Sequence, residues 1–394
     1  MTEYGKVWTD FQKKVHRIKS QLTLHEVLGS SVANGFLNVL RKAEDEFNTI
    51  DSLDEKNIDA LNNLIIPYIH SVVNSLESKI TQITEGFEPD STKKFEILLQ
   101  EDALKISDYE GILEDYHDAV SRYFDFQEKI SQMDVPLTES YNAEFFNREC
   151  QTILSHLDKM VIKNLGISIK TPANFDPFLS SGRQGMNSIF VGMIPNLFDL
   201  KRTIAHEGSF GHQLHANMSL QMDFSHQFKH LLEGLAVFGE KFAMKLIYEK
   251  ETPDLCQYLS AKRDVSSLLY TIIPKLIYFD KLSAKKTLKL IDSRYLFRTD
   301  IKMAIKAKIK DRDFQTNLGD AHYAIGYKKI NAIYQNAIQK LQQIDSDPQH
   351  MMQYKAELII NMFSGHRPHY IVEKQTNIYV KQQEHKLKQS KKSI

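Results

Sequence analysis

Residues 203–215 read Thr203-Ile204-Ala205-His206-Glu207-Gly208-Ser209-Phe210-Gly211-His212-Gln213-Leu214-His215. A helix that holds a metal between two histidines spaces them four residues apart, so that both imidazoles stack on one face. Here the spacing is six. A regular helix would set the rings about 240° apart around its axis and about 9 Å apart along it. They could not then share an ion held at roughly 2.0–2.1 Å from each nitrogen. Either the pairing is accidental, or the helix is distorted between His206 and His212. Gly208 and Gly211 sit where a bulge or break costs least.

Outward from this segment the chain reads as mostly helical. From Val7 to about Ile80, apolar residues recur at spacings of three and four, as in Ile58, Leu61, Ile65, Tyr68, Ile69 and Val72. Gly86 to Lys94 reads as a loop, and a helical run follows from about Phe95 to Met133. Asp134 to Tyr141 is the next break. It divides an N-terminal helical region, 1–140, from a helical metal-binding region, 141–394, within one continuous fold. Residues 171–196 are rich in proline and glycine, and within them Asn187 to Ile194 is the best strand candidate. Helical patterns resume at about Leu200.

With 394 residues and 42% apolar side chains, the chain can bury a sizeable core. Fifty basic residues balance fifty acidic ones, which gives no electrostatic case for nucleic acid or an anionic membrane as partner. Lys386, Lys388, Lys391 and Lys392 form a short basic tail that reads as a solvated end. Cys150 and Cys256 have neither metal-type spacing nor a disulfide framework, as expected in a reducing cytosol. The N-terminus has no apolar signal core, and no stretch approaches 18 uninterrupted apolar residues. A cytoplasmic location follows as the expectation, although signal-independent export leaves no such mark.

A third candidate ligand lies in Leu231-Leu232-Glu233-Gly234-Leu235-Ala236-Val237-Phe238-Gly239-Glu240-Lys241-Phe242. Glu233 and Glu240, seven residues apart, fall nearly on one face of an apolar helix. A carboxylate in such surroundings needs a partner, and a metal is a good one. Two His, one Glu and an open position for water would make a catalytic zinc site.

Four segments together resemble a known family. His206-Glu207-Gly208-Ser209-Phe210-Gly211-His212-Gln213-Leu214-His215 is similar to the HExxPGHxLQ signature of the bacterial "domain of unknown function eight-eighty-five" family, grouped with gluzincin-type metallopeptidases. Glu233 to Glu240 matches that family's EGWALYAE segment, Tyr323-Ala324-Ile325-Gly326 its YKIG element, and Gly365-His366-Arg367-Pro368 its GxxP turn. Their order is preserved over roughly residues 145–375. The resemblance implies a helical metallopeptidase-like fold, metal binding at His206, His212 and Glu233, and Glu207 as base. There are departures. Phe210 stands at the family's Pro, His215 at its Gln and Ala324 at its Lys. Residues Tyr270 to Tyr278 carry neither the Asp nor the His of the corresponding family segment.

Several other residues have two readings. His215 could replace His212 as ligand, contact a ligand from behind, or be exposed. Glu240 could orient a metal-bound imidazole or be a plain surface glutamate. Tyr323 could donate to the oxyanion of a tetrahedral intermediate or be a buried structural tyrosine. Arg183, His322, His366 and Arg367 could grip a substrate carboxylate. Asn187 to Ile194 could pair with an extended peptide at a sheet edge, or be a buried structural strand.

The expectations are therefore a mainly α, gluzincin-type architecture with a small sheet beside the metal site, and one zinc ion per chain. The expected reaction is hydrolysis of a peptide or amide substrate, with neither nucleic acid nor membrane as partner. Two rivals remain: a catalytically degenerate helical binding module acting on a partner protein, and a zinc hydrolase of non-peptide amides or esters.

Overall fold

The computed structural model describes residues 3–24, 30–48, 66–85, 103–130, 143–168, 172–176, 182–184, 188–192, 197–219, 228–291, 322–365 and 367–392, with 96, 99, 100 and 194. Helix dominates them. In chain order the helices are α1 (Glu3–Leu24), α2 (Ser30–Asn48), α3 (Ile66–Glu85), α4 (Ile112–Ile130), α5 (Ala143–Leu165), α6 (Leu197–Glu207) and α7 (His212–Ser219). Then come α8 (Lys229–Tyr248), α9 (Pro253–Pro274), α10 (Ala284–Leu290), α11 (His322–Ile344), α12 (Pro348–Phe363) and α13 (His369–Lys392). A small sheet of β1 (Ala173–Phe175), β2 (Gly182–Gln184) and β3 (Ile189–Val191) lies between α5 and α6 in the chain. Among the described residues, no helix is long and apolar enough to cross a membrane.

The helical periodicity survives where it can be followed. Tyr68, Ile69 and Val72 of the predicted stripe are buried on α3, whereas Ile58, Leu61 and Ile65 lie outside the described residues. The expected loop at 86–94 and the boundary at 134–141 also lie outside them. The predicted helical run from Phe95 to Met133 is not continuous. Ala103 (φ 54°) and Gly111 (φ 71°) take left-handed backbone, and a 3₁₀ turn at Ile106–Tyr109 separates them before α4 begins.

The strand expected within 187–194 is β3, and it is the middle strand. It pairs in parallel with β1 and antiparallel with β2. The sequence reading missed β1 and β2. Of the two readings of Asn187 to Ile194, the buried structural strand holds and the edge open to a peptide does not. Both edges of β3 are paired, and Ile189 and Val191 are buried.

The core around the candidate site is built by α8, which packs on α6, α7, α9 and α11, while α4 packs along α9. The approach of α8 to α11 is set by small residues. A Cβ on Gly234 would lie 2.4 Å from the Gly326 carbonyl carbon, and one on Gly326 would lie 1.9 Å from the His230 carbonyl oxygen. The glycines of the Glu-Gly and Ile-Gly pairs therefore let these helices touch backbone to backbone, where any side chain would hold them apart.

Candidate metal centre

The six-residue spacing is resolved by a break. Helix α6 ends at Glu207, one residue after His206, and α7 begins at His212. Residues 208–211 form the turn between them, with Gly211 N–H donating to the Gly208 carbonyl at 3.1 Å. Gly211 is required there, since a Cβ would stand 1.7 Å from the His206 carbonyl oxygen. The turn is tied down by the Ser209 hydroxyl, which donates to the Asp158 carboxylate on α5. The result brings the His206 and His212 rings to 4.9 Å between centroids, edge to face.

Both carboxylates expected at the site are there. Donor atoms of His206, Glu207 and His212, all buried, lie within 4.8 Å of one another, a group able to hold a metal ion. Glu233, on α8, points its Oε2 between the imidazoles, 3.3 Å from His212 Nε2 and 3.5 Å from His206 Nε2. That oxygen is buried and accepts no hydrogen bond of normal geometry. Ligands of a tetrahedral zinc at roughly 2.0–2.1 Å stand about 3.3–3.4 Å from one another, so Glu233 Oε2 stands near ligand spacing from each imidazole. The donor set of two imidazoles and a carboxylate is the kind that binds zinc and similar divalent ions.

In the metal-free site the imidazoles and carboxylates pair with one another. Burial pushes the His206 imidazole down, but the carboxylates of Glu233 and Glu240 outweigh it and hold the ring at about 9. Burial pushes Glu233 up, yet the His206 and His212 imidazoles keep it well below the usual carboxylate range. Glu240 is likewise kept low against burial, chiefly by Arg263 and Arg202.

Glu240 sits behind the site. Its Oε2 is 3.1 Å from His206 Nδ1 and its Oε1 accepts from Arg202 at 3.3 Å. It is buried, not the surface glutamate of the alternative reading. With Nδ1 held against Glu240, Nε2 is the His206 nitrogen turned toward Glu233. Tyr323 stacks its ring on His206, with centroids 6.0 Å apart and planes at 18°. Glu207 packs against the sheet, since a Cβ on Gly182 of β2 would lie 2.6 Å from Glu207 Cγ. The small sheet thus does lie beside the cluster: β2 and β3 both pack on α6, and β2 meets Glu207.

His215 faces elsewhere. It is buried, and its Nε2–H donates to the Gly365 carbonyl at 3.2 Å, so the exposed reading is wrong and His212 is the imidazole that meets Glu233. Arg367 is fully buried and donates to the Asn361 and Met362 carbonyls at 2.5 and 3.5 Å. It closes the end of α12, which corrects its reading as a substrate grip. Arg183 falls on β2 and His322 opens α11, but their side chains, like all of His366, lie outside the described residues. The sequence reading missed Arg202 and Arg263. Arg202 is one turn before His206, a signal that could have been read. Arg263 gave no local signal; only the need of a buried Glu240 for cations implied it.

The chain matches no protein-family model and no curated protein. Among solved structures it is similar to one described as "the putative lipoprotein from Colwellia psychrerythraea", with 13% identity and a TM-score of 0.57 over 93% of this chain and 69% of that one. At that identity the likeness is one of fold.

Proposed function

We propose that this chain is a zinc-dependent hydrolase that cleaves peptide or related amide bonds, a relative of the gluzincin-type family that its motifs resemble. The observation that carries the reading is Glu233 Oε2: buried, without a hydrogen bond, and 3.3 and 3.5 Å from the Nε2 atoms of His212 and His206. His206, His212 and Glu233 would hold the ion. A zinc ion there would supply Lewis acidity toward the scissile carbonyl and lower the pKa of water.

The remaining work falls to side chains. Glu207, whose carboxylate is grouped with both imidazoles, accepts the proton of the attacking water and delivers it to the leaving amine. Glu240 holds the His206 ring through Nδ1. Tyr323, ranged over His206, supplies a phenol donor for charge developing on the carbonyl oxygen. The enclosing α8 and sheet limit solvent, which strengthens each of these interactions.

The test is Glu207→Gln against a peptide library read by mass spectrometry. Removing a general base costs about 10²–10⁴-fold in rate, and metal content should be unchanged because no proposed ligand is lost. Undiminished hydrolysis in the variant would remove Glu207 as base. A metal-loaded wild type that cleaves neither peptides nor other amides and esters would turn the reading to a binding module.

A further inference from the structure

Arg263 lies on α9, outside every motif considered above, yet it touches three parts of the site. Its Nε is 3.3 Å from Glu240 Oε2. Its Nη2 is 3.5 Å from His206 Nδ1. Its guanidinium carbon lies 5.1 Å from the centroid of the Tyr323 ring. His206 and Tyr323 are themselves stacked. The guanidinium therefore fills the corner where the imidazole, the carboxylate that holds it and the phenol ring meet.

Its neighbours fix where it stands. Lys262 pairs with Asp199 of α6 at 2.7 Å. Asp264 pairs with Lys241 of α8 at 2.5 Å and with Arg122 of α4 at 3.4 Å. This turn of α9 is tied to three helices by the residues on either side of Arg263. A lysine could supply the charge near Glu240. It could not supply a planar, forked group that reaches Glu240, His206 and the Tyr323 ring together.

We propose that Arg263 is a positioning residue: held against Glu240 and the Tyr323 ring, it fixes the His206 imidazole and Tyr323 in the orientation that the metal site uses. The inference rests on the reading of that site as a metal centre. Without Arg263, Glu240 keeps Arg202 but loses the cation on the oxygen that bonds His206, and Tyr323 loses the cation beside its ring.

The test titrates the metal-stripped full chain with Co²⁺, whose visible bands report ligand geometry, in wild type, Arg263→Met, Arg263→Lys, Glu240→Gln and the Arg263→Met/Glu240→Gln double variant. Loss of an outer partner of a metal-bound His typically costs about 10–100-fold in affinity, and that is expected for Arg263→Met, with shifted bands. The double variant should bind about as weakly as the weaker single, because both act through one imidazole. Arg263→Lys keeps the charge and the fold, so it decides the matter if the Met variant does not fold. It should still lose about tenfold, at the low end of that range. Wild-type affinity and bands in either Arg263 variant, or losses that multiply in the double variant, would overturn the proposal. A wild type that binds no Co²⁺ would instead overturn the metal centre itself, and the role of Arg263 with it.

Discussion

Gly239 of α8 lies against the Phe210 carbonyl in the turn between α6 and α7, so close that a Cβ would stand 1.7 Å from the oxygen. This contact seats the helix carrying Glu233 and Glu240 on the break that brings His206 and His212 together. Gly239→Ala cannot be absorbed by a rotamer change, because the obstacle is backbone. Overpacking costs about 1–3 kcal/mol, and the upper end is expected, seen as a lower urea midpoint together with weaker Zn²⁺ binding. Unchanged values for both would mean that this contact does not set the position of Glu233.

How much of this was written in the sequence depends on how local each feature is. The helices were legible because burial repeats every three to four residues, as on α3. His206, Glu207 and His212 stand close together in the chain, Glu233 stands out with Glu240 on an apolar helix, and the family resemblance joins the two segments; Gly208 and Gly211 mark the place where the helix breaks. The strands β1 and β2 are three residues each, too short to show alternation. The Arg263–Glu240 contact joins α9 to α8, and no spacing along the chain encodes it. Arg367 is one of four candidates for gripping a carboxylate in the sequence, which cannot show that it is buried at the end of α12.

Metal binding should release a proton. The metal-free His206 is held at about 9 by Glu233 and Glu240 against burial, above its ordinary 6.5. At pH 7.5 the ring therefore carries both protons, and Nε2 must give one up to bind an ion. Calorimetric Zn²⁺ titrations in buffers of different ionisation enthalpy should show that proton released at pH 7.5 and not well above pH 9. The raised value also has a sign for stability. In chelator-treated protein the contribution is complete below about 6.5 and is lost as pH rises through about 9. The urea midpoint of that form should fall over this window, and a His206→Gln variant should lose this part of the pH dependence.

The two thiols should behave differently. Cys150 is buried and burial pushes its thiol up to about 12, while Cys256 is only half-buried and its thiol is raised as well. The thiolate is the reactive form. A chromogenic disulfide reagent at pH 8 should label Cys256 slowly in native protein and Cys150 only after unfolding. Rapid labelling of Cys150 in the native state would contradict its place in the core.

The most direct test of the metal centre is the zinc content of purified wild type and of Glu233→Ala, measured by inductively coupled plasma mass spectrometry after the same exposure to zinc and the same removal of excess. The account predicts about one zinc per chain in wild type, as one three-ligand site holds, and loss of most of it in Glu233→Ala, because the variant removes the oxygen that stands between His206 and His212. Full zinc in Glu233→Ala, or none in wild type, would contradict it.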